Sequence, residues 1–155
     1  MRRIIVYVLV LVIVLLVPVE RTDVGKLRPV QSVAVFGEDE AVVIVTDTED
    51  KGRGADAIAA LEDLKDSTPA VIYLDTAEFL LVGQGMDGAV EQLRDYLKET
   101  VELYYYEGVS ELESVSKYLE IHGEGPTMKQ WQNGLDLPVL DCREKRIKIM
   151  QKNVK

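Results

Sequence analysis

Hydrophobic and polar residues alternate along this chain in a pattern that divides it into an apolar end, an α/β body and a basic end. Ile4 to Val17 is fourteen residues without a polar side chain beyond Tyr7. Val30 to Phe36 and Ala41 to Thr46 are two strand-like runs around the turn residues Gly37-Glu38-Asp39-Glu40, the signature of an antiparallel hairpin. The second run is almost unbroken in its apolarity, which predicts a strand covered on both faces. Asp47 to Gly54 reads as a polar loop. Ile58, Leu61 and Leu64 then recur at helical spacing among alanines up to Ser67, where Thr68-Pro69 ends the helix.

Ala70 to Leu74 and Phe79 to Val82 are strand-like, as one bent strand or as two, with Asp75-Thr76-Ala77-Glu78 between them. Met86, Val90, Leu93 and Leu97 form one stripe and predict a helix from about Gly88 to Glu99. Val101 to Tyr106 reads as a strand. Ser110 and Glu113 have capping-box spacing ahead of a third helix with Leu112, Val115 and Leu119 on one face and Gly123 as its stop. Thr127 and Gln130 repeat the box for a short helix ending at Gly134. Arg146 to Ile149 is a possible terminal strand. The order predicts a mixed sheet of four to five strands covered by about three helices, an α/β (α+β) fold.

The first segment changes this picture most. Residues 4–19 rise about 24 Å as a helix, short of the ~30 Å hydrocarbon core, and follow Arg2-Arg3. A basic start and an apolar stretch suit a secretory signal, but Leu15-Leu16-Val17-Pro18-Val19 offers no small-x-small cleavage site. The expectation is an uncleaved signal anchor over residues 1–19, with the amino terminus cytoplasmic and the remainder outside. Residues 20–29 form a stalk, 30–135 the extracytoplasmic domain and 136–155 a basic strand or tail.

Charge follows the same division. The formal total is −9. Arg143 to Lys155 carries +5 and Arg2-Arg3 carries +2, so residues 20–142 hold −16. An acidic body repels phosphates, which argues against a nucleic-acid partner. One cysteine (Cys142) and one histidine (His122) exclude an internal disulfide, a multi-cysteine zinc site and a His-rich metal centre.

Few residues carry chemistry. Gly83-Gln84-Gly85-Met86-Asp87-Gly88 is a literal G-x-G-x-x-G between a strand and a helix. In a dinucleotide fold such glycines let the backbone approach a pyrophosphate, and Glu107, about 20 positions on, would hold the ribose. Asp87 inside the loop would repel that phosphate, and a tight strand-to-helix turn accounts for the same glycines. A nucleotide-binding enzyme using Gly83, Gly85, Gly88 and Glu107 is therefore the alternative reading. Asp75 and Glu78 form a compact carboxylate pair that would serve acid–base chemistry if one were desolvated. Asp47, Glu49 and Asp50 have the oxygens for calcium but not the spacing of an EF-hand. Lys51-Gly52-Arg53-Gly54 lacks the lysine-serine pair of a phosphate loop and reads as a flexible connection. Tyr104-Tyr105-Tyr106 alternates across a strand, so one or two rings are core and at most the outer ones are a contact patch, which a cell-envelope binder would present. His122 suits a helix terminus. The expectation is a non-enzymatic domain with no catalytic residue, no cofactor and no metal.

Several stretches resemble the amino-terminal domain of the spore germination C-subunit family, Ger(x)C. Leu27-Arg28-Pro29-Val30 with the early hairpin is similar to that domain's start. Gly54-Ala55-Asp56-Ala57-Ile58-Ala59-Ala60-Leu61 resembles its first helix. Ala70 to Leu74, Phe79-Leu80-Leu81-Val82-Gly83 and Val90 to Leu97 resemble its strand, "LVG" turn and following helix, over residues 20 to 122 in all. The resemblance implies a membrane-attached, non-enzymatic subunit of a germinant receptor. It would face outward from the cell or inner spore membrane of a Firmicute, beside other membrane subunits. Here the glycine motif falls on a turn that binds no nucleotide in the family. The chain has no lipobox cysteine near Val17-Pro18-Val19 and is less than half the family's length, so it reads as a short stand-alone relative.

Overall fold

The computed structural model describes residues 26–107, 111–142 and 147–150. The segment expected to be the signal anchor lies outside them, as do Ser110 and most of the basic end. Among the described residues no helix is long and apolar enough to cross a membrane.

Seven strands form one mixed sheet and two more form a small ribbon. The ribbon pairs β1 (Leu27–Pro29) in parallel with β5 (Val71–Tyr73). In the large sheet, β2 (Ser32–Glu38), β6 (Phe79–Val82), β7 (Glu102–Glu107) and β8 (Val139–Asp141) run parallel in that order. β3 (Ala41–Thr46) and β4 (Lys51–Gly54) extend the β2 edge antiparallel, and β9 (Lys148–Met150) closes the other. The helices are α1 (Ala57–Ser67), α2 (Asp87–Leu93), α3 (Leu112–His122) and α4 (Met128–Gln132).

Strand alternation sorts the side chains into two layers. Val33, Val35, Ile44, Leu80, Val82 and Leu103 face α1 and α2, where they meet Ala60, Leu61, Leu64, Val90 and Leu93, with Met128 of α4 on the same side. Ala34, Leu81, Tyr104 and Leu140 face the opposite way, against Val115 and Leu119 of α3. Ser116 of α3 donates to Ser32 of β2 at 2.6 Å, both side chains being buried. Three helices therefore cover one face and one helix covers the other.

Several expectations are corrected. Among the described residues the sheet has seven strands rather than four to five, and the four helices fall on the three expected and the short one expected before Gly134. The stretch expected as a loop up to Gly54 contains β4: its glycines lie under α1, where a Cβ on Gly52 would stand 2.2 Å from the Ala60 carbonyl oxygen. Its charged residues, Lys51 and Arg53, point outward. The run from Ala70 to Val82 is two strands in different sheets, separated by a 3-10 turn at Leu74–Thr76. The helix expected to reach Glu99 ends at Leu93 and tightens into a 3-10 turn, Arg94–Tyr96. The hairpin turn is two residues, Asp39 and Glu40, both at positive φ. The Ser110–Glu113 box does not describe the start of α3: Glu111 is the N-cap, with no side-chain cap bond, and Glu113 pairs with Lys117 at 2.7 Å. The Thr127–Gln130 box is present as expected, ahead of α4.

Candidate functional site

The uneven cover of the sheet leaves a recess. α3 lies over the centre of its face, and beyond it no helix of the described residues covers β3 and β4 on that side. There the register sets Ala34 opposite Val45, and Val45 opposite Lys51. Ala34, Phe36, Val45, Tyr106 and Leu112 line the apolar part of a groove of about 430 Å³. Asp47, Glu49, Glu111 and Glu113 contribute carboxylates to it, and Lys51 is its one cation.

Most of these charges have settled partners. Lys51 reaches away to Glu38 at 2.9 Å, and Glu113 takes Lys117, which holds the Glu113 carboxyl below its ordinary value. Asp47 accepts the Gln31 backbone N–H at 3.1 and 3.2 Å. Its carboxyl is nevertheless pushed up, chiefly by burial and further by the Glu113 charge. Among the described residues no cation pairs with Asp47, Glu49 or Glu111. The groove is thus an apolar floor whose rim holds three carboxylates, Asp47, Glu49 and Glu111, unpaired with a cation among the described residues.

The acids of the Asp47–Asp50 loop turn to separate partners. Asp50 turns to Arg28 at 2.9 Å and accepts from Thr48 at 2.7 Å. Burial raises its carboxyl, but the Thr48 and Arg28 contacts outweigh that and leave it lowered. Glu49 sits at positive φ in the turn. Among the described residues no group of three metal-ligating side chains converges.

The glycine motif lies at the carboxyl ends of β6 and β7, beside a crevice of about 350 Å³ lined by Gln84, Gly85, Asp87, Tyr105, Glu107 and Val139. Gly83 packs on β2, where a Cβ would come 2.9 Å from the Phe36 Cβ. Gly85 takes φ +76° in the turn, and a Cβ on Gly88 would meet nothing. The third glycine therefore has no helix–strand packing to permit, unlike its counterpart in a dinucleotide fingerprint. Asp87 accepts the Tyr105 hydroxyl at 2.6 Å, which together with burial pushes that phenol up to about 12. Glu107 accepts from Gln84 at 2.5 Å.

The remaining candidates are dispersed. Asp75 is in the 3-10 turn, while Glu78 accepts from Gln31 at 3.2 Å. Tyr104 is fully buried: its hydroxyl donates to Glu102 at 2.6 Å and accepts the Gly125 N–H at 2.7 Å, and burial is the main cause that raises it. Tyr106 lines the groove. His122 ends α3, its ring 4.7 Å from that of Tyr118. Sequence reasoning missed the groove. Its signal was the contrast between Val45, apolar on the α3 side of β3, and Lys51 and Arg53 beside it, which marks a sheet face open to water.

No family model, curated protein or solved structure matches this chain at a significant level.

Proposed function

We propose that the chain is a non-enzymatic interaction module, tethered by residues 4–19 to the outer side of a membrane, that docks a partner subunit in the groove between α3 and β3. The reading carries over the resemblance to the germinant-receptor C subunits, a sporulation or germination role in which the domain works by contact and not by catalysis. One observation supports it above the others: an apolar floor bordered by Asp47, Glu49 and Glu111, none of them paired with a cation among the described residues. The occupant that fits is a protein segment presenting an apolar side chain flanked by lysine or arginine. Its apolar part would cover Val45 and Leu112, and its charges would meet the rim, raising the association rate in a salt-dependent way.

The dispersal of the carboxylates supports the non-enzymatic part. Glu78, Asp87 and Glu107 each accept a hydrogen bond from a neighbour that helps hold the fold. The test uses the full chain in detergent and short fluorescent peptides in which leucines are flanked by lysines. Binding is expected to weaken with rising salt and to be lost in Glu49→Lys/Glu111→Lys, while the same charge change at the exposed Glu62 and Glu91 leaves it intact. Equal binding by both variants would overturn the assignment of the groove.

A further inference from the structure

The β1–β5 ribbon turns an apolar face outward at the point where the described chain begins. Ile72 points inward and is buried, so Val71 and Tyr73 on either side of it point out, 48% and 41% exposed. The parallel register places Leu27 beside Val71 and Pro29 beside Tyr73. Two apolar residues from each strand thus share one face, with the exposed Lys26 just before it.

The ribbon is held firmly to the body. Thr76 Oγ1 accepts the Val30 N–H at 3.0 Å, and Arg28 Nη1 lies at 3.0 and 2.9 Å from the two oxygens of Asp50. A rigid apolar face on a surface otherwise rich in acids is a contact surface in search of an occupant.

Chain length decides which occupant. On the reading that residues 4–19 lie in the bilayer, on which this inference rests, seven residues (20–26) connect the membrane to Leu27. Fully extended they reach at most about 25 Å. A domain of this size is roughly 35 Å across. The tether is shorter than the domain is wide, so Leu27 cannot lie on the side far from the lipid, and the exposed apolar face beside it lies within reach of the headgroups.

We propose that the outer face of the β1–β5 ribbon, Leu27, Pro29, Val71 and Tyr73, rests in the headgroup region of the protein's own membrane and fixes the orientation of the domain above it. Tyrosine suits that layer, with an apolar ring and a polar tip. Four side chains bind lipid weakly in isolation. The tether makes the contact intramolecular, so a weak affinity suffices. The contact is apolar in origin, and the acidic body gains no attraction from anionic lipid.

The experiment places the full-length chain in phosphatidylcholine liposomes with a nitroxide label at Val71→Cys, at Tyr73→Cys, or at Glu120→Cys on the opposite layer. The native Cys142 is buried, and unsubstituted protein sets its background. Labels at 71 and 73 are expected to show a several-fold higher ratio of oxygen to nickel-complex collisions than the label at 120, with no increase when phosphatidylglycerol is added. Tyr73→Trp, quenched by brominated lipid more strongly than wild-type Trp131, gives the same reading without a label. Flotation with the liposomes but equal collision ratios at all three positions would overturn the lipid contact alone. Spin–spin broadening at 71 and 73 would assign the face to a second copy and also overturn it. Failure to float would overturn the contact together with the anchor.

Discussion

Asp47 illustrates how a single side chain in the groove ties stability to pH. Burial raises its carboxyl, so the native state holds the proton more tightly than the unfolded chain does. Its contribution is favourable below the ordinary aspartate value of about 4 and is lost as pH rises through the raised native value. Asp50 has the opposite sign: its lowered carboxyl favours the fold above that ordinary value, and the benefit is lost as pH falls through the native one. Asp47→Asn keeps an oxygen for the Gln31 N–H and removes the charge. Thermal unfolding from pH 3.5 to 7 is expected to show this variant gaining on the wild type as pH rises. A constant difference across that range would contradict the burial account. Tyr104 makes a second prediction. Tyr104→Phe removes both hydroxyl bonds and leaves the Gly125 N–H and the Glu102 carboxylate only their longer 3.2 Å bond to each other, and denaturant titration is expected to show a loss of about 1–2 kcal/mol. An unchanged midpoint would mean that water replaces both bonds at no cost. Neither role is written in the sequence, where Asp47 is one of three loop acids and Tyr104 the first of three tyrosines. The alternation rule shows only that Tyr104 and Tyr106 share a face, not which one is enclosed.

Among the elements, β4 shows where the sequence misleads. Lys51-Gly52-Arg53-Gly54 has the composition of a loop, yet its alternation is that of an edge strand with charges outward and no side chains inward. The absent side chains are what let α1 lie directly on the backbone, and the Asp63 carboxylate accepts the Arg53 N–H at 2.8 Å, capping the exposed edge. Gly52→Ala is therefore expected to cost about 3 kcal/mol or to block folding, because the nearest atoms are helix backbone that cannot rotate away. A circular-dichroism melt matching the wild type would refute that packing. The strands with strong apolar runs were legible: Ala41–Thr46 and Phe79–Val82 fall where the pattern put them, although only Phe79–Val82 is buried on both faces, while the α3 side of Ala41–Thr46 opens on the groove and does not have the cover its apolar run predicted. α2 was overextended because Leu97 continues its stripe, although the backbone tightens at Arg94. The strand–turn–helix around Gly83 supplies another test. A nucleotide bound at 100 times its dissociation constant would add about 2.7 kcal/mol. Titration with NAD or ATP is expected to leave the melting temperature unchanged, and a saturable rise would revive the nucleotide reading.

Across the whole molecule, the layer arrangement follows from period-two strands and 3.6-period helices, and the class of fold was legible for that reason. The strand count was not, because β8, β9 and the ribbon are three residues each and too short to impose a period. The groove was hidden for a related cause: it lies where α3 stops short of β3 and β4, and no local pattern records how far a helix reaches across a sheet. Charge was legible throughout and gives the molecule its polarity, an acidic body between basic ends. The central claim is that residues 4–19 hold this body on the outer side of a membrane. Expression of the full chain in a Gram-positive host, followed by alkaline carbonate extraction of its membranes and protease treatment of intact protoplasts, tests it most directly. The account predicts that the chain stays in the carbonate-washed membranes and that external protease digests residues 26–150. Release into the carbonate supernatant, or full protection of the domain in intact protoplasts, would contradict it.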